Sequence, residues 1–484
     1  MVPKPLLILT LLGLVATGCS SNGGTANGAA GNSQSALPAT TTGNPVSKYI
    51  SHVVVIIQEN RSFENFFAGY PGANAPTFGC AAQGTKKRTM PQRMRPSSSG
   101  SGCPVGDTEV PLKQITFDGP DLAHNWTASI ADWDKGNMDG FYQYGFKYPY
   151  EAYSYVQQSL VAPYWEIANQ YVLADAMFPT EFGGSFTGHL TLVAGTDDLT
   201  PSKAEVDFPD GMYDDCDSPK GTRSSFITPN KQSPYLPGVR HRLAGPFPCF
   251  HQWSTMAEDL DTNKVSWKYY ATRLLGAGMW EPFEAMKYVR KGPDWNQNII
   301  APQTKILTDP SNGELASVSW VSPSKPDSDH PGDHSDLGPS WVASVVNAVG
   351  ESSYWPTTAI VVVWDDWGGW YDNAAPPEPD YRGLGIRVPC LIISPYARET
   401  SPSQPGYVSH TQYEYGSILK FIEEAFNLPP IGPPSGGYTD TRATSIEDAF
   451  DFTQQPRPFR KISSKYPLSH FLHEPPSNEP VDTQ

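Results

Sequence analysis

The chain has 484 residues, with 34 Lys and Arg against 50 Asp and Glu, for a formal net charge of -16. That balance excludes a nucleic-acid partner held through its phosphates, and it excludes a bulk positive field that would gather anionic substrates. Any anion must be captured locally, by a metal or by oriented donors, and the 13 Trp and 24 Tyr suggest an aromatic-lined surface or cleft.

Residues 1–19 read as an export signal. Lys4 precedes an apolar run from Leu6 to Ala16 that is too short to span a bilayer, and the run ends at Thr17-Gly18-Cys19. The small residues before Cys19 resemble a bacterial lipobox, with Ala16 where leucine is usual. That resemblance implies cleavage before Cys19 and lipidation on it, and Ser20 in place of Asp implies sorting to the outer membrane of a Gram-negative cell. The expectation is an exported lipoprotein, anchored to a membrane and facing the periplasm or the cell surface. The alternative is a plain secretory signal with an accidental cysteine. Residues 20–46 are Gly, Ser, Thr, Asn and Ala with almost no large apolar side chain, which predicts a flexible tether. One large folded domain is expected over 47–450, followed by a Pro-rich tail over 451–484.

Strand signals follow at 52–57, 171–177, 190–194, 265–270, 317–321, 359–364 and 388–394. Helical patterns fall at 63–67, 155–170, 253–262, 338–349 and 412–426. Strands separated by helices predict an α/β domain on a mostly parallel sheet. Residues 198–248 are rich in Pro, Gly, Asp and Ser, and 273–300 contain Trp and Gly. Together these predict a lid-like excursion over about 198–300. Cys80 and Cys103 bracket a basic Ser/Gly-rich loop, and Cys216 and Cys249 bracket a Pro-rich stretch. Both pairs are expected to form disulfides, with Cys390 left free in a buried strand.

Two of the strands end in oxygen ligands. The run His52–Gln58 ends in Glu59 and Asn60, and the run Ala359–Trp364 ends in Asp365 and Asp366. The carboxyl ends of strands are where open α/β sheets bind ligands, and three carboxylates with an amide make a hard-oxygen set suited to one divalent cation. The opposing reading of Asp365-Asp366 is a solvated turn. Between the clusters, Phe182-Gly183-Gly184-Ser185-Phe186 places a serine in a tight turn. Opening a helix there would aim backbone N–H groups at an anion. The commoner use of such a serine is as a helix cap. Histidines beside carboxylates in polar turns (His124, His330, His334, His410), together with His251, are candidates for acid/base work or anion contact.

Glu59–Phe63, His124-Asn125-Trp126, Phe182–Phe186, Asp329-His330-Pro331 and Trp364–Asp372 occur in order, followed by Arg387-Val388-Pro389 and His410-Thr411. This combination resembles the bacterial phosphoesterase family of acid phosphatases and zinc-independent phospholipases C, within the alkaline-phosphatase-like superfamily. The resemblance implies a three-layer α/β sandwich with a mostly parallel central sheet and an inserted lid. It implies a metal held by Glu59, Asn60, Asp365 and Asp366 and completed by Ser185, which would attack phosphorus. His124 would protonate the leaving group, His330 and Asn60 would contact phosphate, and His251 and His334 are further phosphate-contact candidates. The Phe-Gly-Gly-Ser-Phe turn resembles the acid-phosphatase branch, so a phosphomonoesterase is the first expectation. A phospholipase C-type diesterase is the second, and a non-enzymatic metal- or polyanion-binding lipoprotein the third. The expected substrate is a small phosphate ester or a phospholipid.

Overall fold

The computed structural model describes residues 45–82, 103–104, 106–141, 150–208, 215–219, 222–229, 241–244, 249–274, 276, 278–333, 335–401, 403–404, 406–475 and 477. The expectations for Cys19, for most of the tether and for His334 lie outside them.

Nine strands form one sheet: β1 (His52–Gln58), β2 (Val172–Phe178), β3 (Trp267–Tyr270), β4 (Ile299–Ile300), β5 (Val318–Val321), β6 (Thr358–Trp364), β7 (Val388–Ile393), β8 (Tyr407–Ser409) and β9 (Tyr413–Glu414). Their order is β4-β3-β5-β1-β6-β7-β2-β8, with β9 also pairing with β2. Every pairing is parallel except those of β7, which runs against both β6 and β2. The carboxyl ends of β1, β2, β5 and β6 therefore point the same way.

The β-branched runs Val53–Ile57 and Ile360–Val363 and the apolar β7 are fully buried, so both faces of the central sheet are covered. The helices that cover it fall into two mutually packed sets. One contains α3 (Ala162–Gln170) and α5 (Gly338–Gly350). The other contains α4 (Ser185–Ala194) and α6 (Tyr415–Phe426). The result is a mixed α/β sandwich around a mostly parallel sheet. Two earlier helices, α1 (Phe63–Phe67) and α2 (Trp126–Trp133), follow the segments that carry Glu59-Asn60 and His124. No helix among the described residues is long and apolar enough to cross a membrane.

The strand expected at 190–194 is instead the end of α4. A short apolar run cannot distinguish a buried strand from a buried helix. Here every residue of α4 is buried, and Gly195 closes it at φ +67°. The helix expected over 155–170 starts only at Ala162, because Ser154–Val156 pairs as a strand with Lys113–Ile115. The excursion expected over 198–300 divides. Strands within 198–244 build a separate four-stranded antiparallel sheet, while 267–270 and 299–300 rejoin the main sheet as β3 and β4, where Trp267, Tyr269 and Tyr270 are buried beside β5. Disulfides join Cys80 to Cys103 and Cys216 to Cys249, and Cys390 is free and buried in β7. The tail is pinned by a short helix, Leu468–Leu472, whose Phe471 packs against Trp341 of α5.

Candidate active site

Four parallel strands deliver their following residues to one place. β1 leads into Glu59 and Asn60, β6 into Asp365 and Asp366, β2 into the turn before Ser185, and β5 into the segment carrying His330. All six of these residues are buried. Asn60 is turned inward by a left-handed backbone, φ +59°, a conformation that asparagine tolerates better than most residues. Its N–H donates to Asp365 Oδ1 at 2.9 Å, which fastens one strand end to the other.

Ser185 is the first residue of α4. The preceding Gly184 has no side chain to occupy the N–H groups of the first turn, so the amino end of the helix, where its dipole is positive, is left to other partners. Ser185 Oγ lies 3.1 Å from Asp366 Oδ2 and 3.3 Å from Asn60 Oδ1. Asn60 Nδ2 donates to His124 Nε2 at 3.1 Å, and His124 Nδ1–H donates to the Leu122 carbonyl at 2.6 Å. The carbonyl fixes the neutral ring as the Nδ1–H tautomer, so Nε2 is the nitrogen that faces the site. His330 Nδ1–H likewise donates to the Pro331 carbonyl at 2.7 Å, and the two histidine rings lie 6.2 Å apart, nearly perpendicular. Trp280 lies 6.1 Å from the His330 ring and Trp367 lies 6.5 Å from the His124 ring, giving the two histidines aromatic walls.

One participant was not among the expected site residues. His189 Nε2 is 3.1 Å from Glu59 Oε1 and 3.9 Å from Asp365 Oδ2. It stands four residues after Ser185, which puts both on one face of α4. That spacing was visible in the sequence, but reading 190–194 as a strand hid it. Burial pushes the His189 pKa down to about 4, against the pull of Asp365 and Asp366, so the imidazole is neutral and able to ligate a cation. His251 is exposed and makes no hydrogen bond to the Ser185 cluster among the described residues. His410 is largely exposed and pairs with Asp175 instead.

The electrostatics call for a cation. Burial first, and Glu59 second, hold Asp365 well above the usual carboxylate range. Burial and then Asp365 push Asp366 up to about 8. Asp365 Oδ2 is buried and accepts no hydrogen bond. Ligand atoms of Glu59, His189 and Asp365 all lie within 4.8 Å of one another, so these residues fit a divalent ion, with Asn60, Asp366 and Ser185 adjoining. Asp121, His124 and His330 form a second such group at the same spacing. Both nitrogens of His124 are already engaged there, and Asp121 is exposed, which makes the buried Glu59 set the better cation site.

The Phosphoesterase family model matches residues 50–429. The chain belongs to this family. Among its relatives, phospholipase C B of Mycobacterium tuberculosis is 25% identical over 472 residues, covering 84% of this chain and 79% of that protein. Non-hemolytic phospholipase C of Pseudomonas aeruginosa is 24% identical, covering 80% of this chain and 55% of that protein. Non-specific phospholipase C6 of Arabidopsis thaliana is 22% identical over 84% of this chain and 73% of that protein. A Vibrio parahaemolyticus structure described as a protein in the alkaline phosphatase superfamily aligns over 70% of each chain at 12% identity with a TM-score of 0.33, a likeness too slight to add to the fold described above. Family and relatives together make this member of the Phosphoesterase family a phosphoric ester hydrolase.

Proposed function

We propose that the chain is a phosphodiesterase of phospholipase C type that works through a phosphoseryl intermediate on Ser185. The observation that carries this reading is the bonding of Ser185 Oγ to Asp366 and Asn60 at the joined ends of β1 and β6. Ser185 Oγ forms the bond to phosphorus and gives up its proton to the Asp366 carboxylate that already accepts its hydrogen bond. His124, once protonated on Nε2, donates that proton to the leaving oxygen as the ester P–O bond breaks. A water then attacks the phosphoserine and passes a proton to His124; the P–Oγ bond breaks, and Ser185 takes its proton back from Asp366. Asn60 and His330 orient the non-bridging oxygens. A cation on Glu59, His189 and Asp365, with Asn60, Asp366 and Ser185 beside it, would supply positive charge to the phosphoryl oxygens and favour the serine alkoxide.

Two considerations favour a diester. The relatives described above are named phospholipases C. A monoester would also bring a second negative charge to a site that already carries Glu59, Asp365 and Asp366. Arg61, the residue after Asn60, spends its donors on Asp329, Asn65 and Phe117. The monoester reading is supported by the Phe182–Phe186 turn and its acid-phosphatase resemblance. Lipidation at Cys19 would hold the domain beside its lipid.

The test is turnover of p-nitrophenyl phosphorylcholine against p-nitrophenyl phosphate, with metal content measured in the same sample. Preference for the choline diester supports the proposal, preference for the monoester replaces it with a phosphatase, and turnover of neither overturns both. Ser185→Ala should lower kcat by about 10⁴-fold or more and abolish phosphoenzyme trapping.

A further inference from the structure

One buried carboxylate outside the catalytic cluster is tied to the ends of both β1 and β6. Asp329 is fully buried. Its Oδ2 accepts hydrogen bonds from Tyr164 Oη at 2.7 Å and from Trp364 Nε1 at 2.9 Å. Its backbone N–H donates to Gln58 Oε1 at 3.0 Å, and its carbonyl accepts from Arg61 Nε at 2.7 Å. Three of these partners are chain neighbours of site residues. Gln58 precedes Glu59, Arg61 follows Asn60, and Trp364 precedes Asp365. Asp329 itself precedes His330.

We propose that Asp329 is a positioning residue that sets His330 against the ends of β1 and β6. This rests on the reading above in which His330 contacts the phosphoryl oxygens. The segment from Ser322 to His330 leaves β5 as an irregular stretch, and such a stretch holds a side chain to within a few tenths of an ångström only if its backbone is fastened. Asp329 fastens it with four hydrogen bonds, two through its backbone and two through its carboxylate. The carboxylate cannot turn away. Its Oδ1 is pressed against the first residue of α5, where a Cβ on Gly338 would lie only 2.1 Å from it. Tyr164 also brings α3 into the same tie, with its ring packed against Phe66 and Trp364. Burial pushes the Asp329 pKa up to about 7 against the opposing pull of Tyr164, Arg61 and Trp364. A buried carboxylate held at such cost contributes more to a fixed arrangement than to stability.

The test is a double-mutant cycle with a spectroscopic arm. Asp329→Ala should lower kcat by about tenfold or more, whereas Asp329→Asn, which keeps an acceptor for Tyr164 and Trp364, should recover most of it. In a His330→Ala background, Asp329→Ala should cost nothing further. Equal losses in both backgrounds, or wild-type kcat in Asp329→Ala, would overturn the proposal. If Asp329→Ala does not fold, Tyr164→Phe removes one donor and leaves the ring packing, and should cost about threefold in the wild-type background and nothing beside His330→Ala. In enzyme labelled at histidine Cε1, the His330 resonance, assigned by its loss in His330→Ala, should shift in Asp329→Ala or Tyr164→Phe while that of His473 stays fixed. An unmoved His330 signal refutes the tie. This arm decides the matter even if the wild-type enzyme turns over no phosphate ester, an outcome that would sink the phosphodiesterase reading instead.

Discussion

Gly368→Ala tests how the two ligand-bearing strand ends are held together. Gly368 has φ +62°, and a Cβ there would lie 2.0 Å from the Asn60 carbonyl oxygen, 2.5 Å from its carbon and 2.9 Å from Asn60 Cα. Against the 3.4 Å of ordinary contact, the shortfall is about 1.4 Å, and every atom met is backbone. The left-handed conformation alone costs alanine about 1 kcal/mol, and forced overpacking adds about 1–3 kcal/mol. Relief has to come from moving Asn60. That movement breaks its 2.9 Å bond to Asp365 and withdraws its side chain from Ser185 and His124. A displacement of about 1 Å at reacting groups lowers kcat on the order of 10²-fold. Gly313 is the control, with φ +78° and nothing within 4 Å. Gly313→Ala should lose only the conformational term, about 1 kcal/mol, and keep full kcat. Urea unfolding gives the stabilities, and nitrophenol release with bound-metal analysis gives the function. A folded Gly368→Ala enzyme with wild-type kcat and metal would refute the reasoning, as would a Gly313→Ala enzyme that loses activity equally.

Asp365→Asn should strip the bound divalent ion as well as the rate, since it neutralises a buried carboxylate whose Oδ2 accepts no hydrogen bond; metal retained at wild-type stoichiometry would exclude it as a ligand. Glu423 and Asp440 share the Ile431 N–H; burial raises both pKa values, and Asp440 adds to the rise at Glu423, which reaches about 9. The folded state keeps a proton there that the unfolded state releases. This pair therefore makes stability fall as pH rises from the ordinary carboxylate range toward 9, and Glu423→Gln should flatten that decline in urea melts at pH 5, 7 and 9. Phe471→Ala empties the fully buried anchor of the tail against Trp341, and should cost about 3–5 kcal/mol of stability with kcat unchanged.

The sequence carried the chemistry more plainly than the geometry. β1 and β6 were legible because uninterrupted β-branched runs cannot be surface strands, and Glu59, Asn60, Asp365 and Asp366 because two such runs each end in a pair of oxygen ligands, which a solvated turn after one strand alone would not explain. Ser185 stood out through the glycines before it. His189 did not, because a five-residue apolar run carries no period of its own, and the helix that makes residues 185 and 189 neighbours is decided by burial on all sides. Asp329 looked like one more loop aspartate, since nothing local announces that its bonding partners lie 35 to 271 positions away.

The amide of Asn60 has a polarity, and that polarity acts as a lock. One end receives hydrogen from the serine and the other gives hydrogen to His124, so reversing the amide would set donor against donor at the serine and acceptor against acceptor at the histidine. At rest the lone pair of His124 Nε2 is occupied by the amide hydrogen. In the proposed mechanism that hydrogen bond has to give way before the ring can take up a proton, so the group that orders the resting site is also the one that must move for the acid to form.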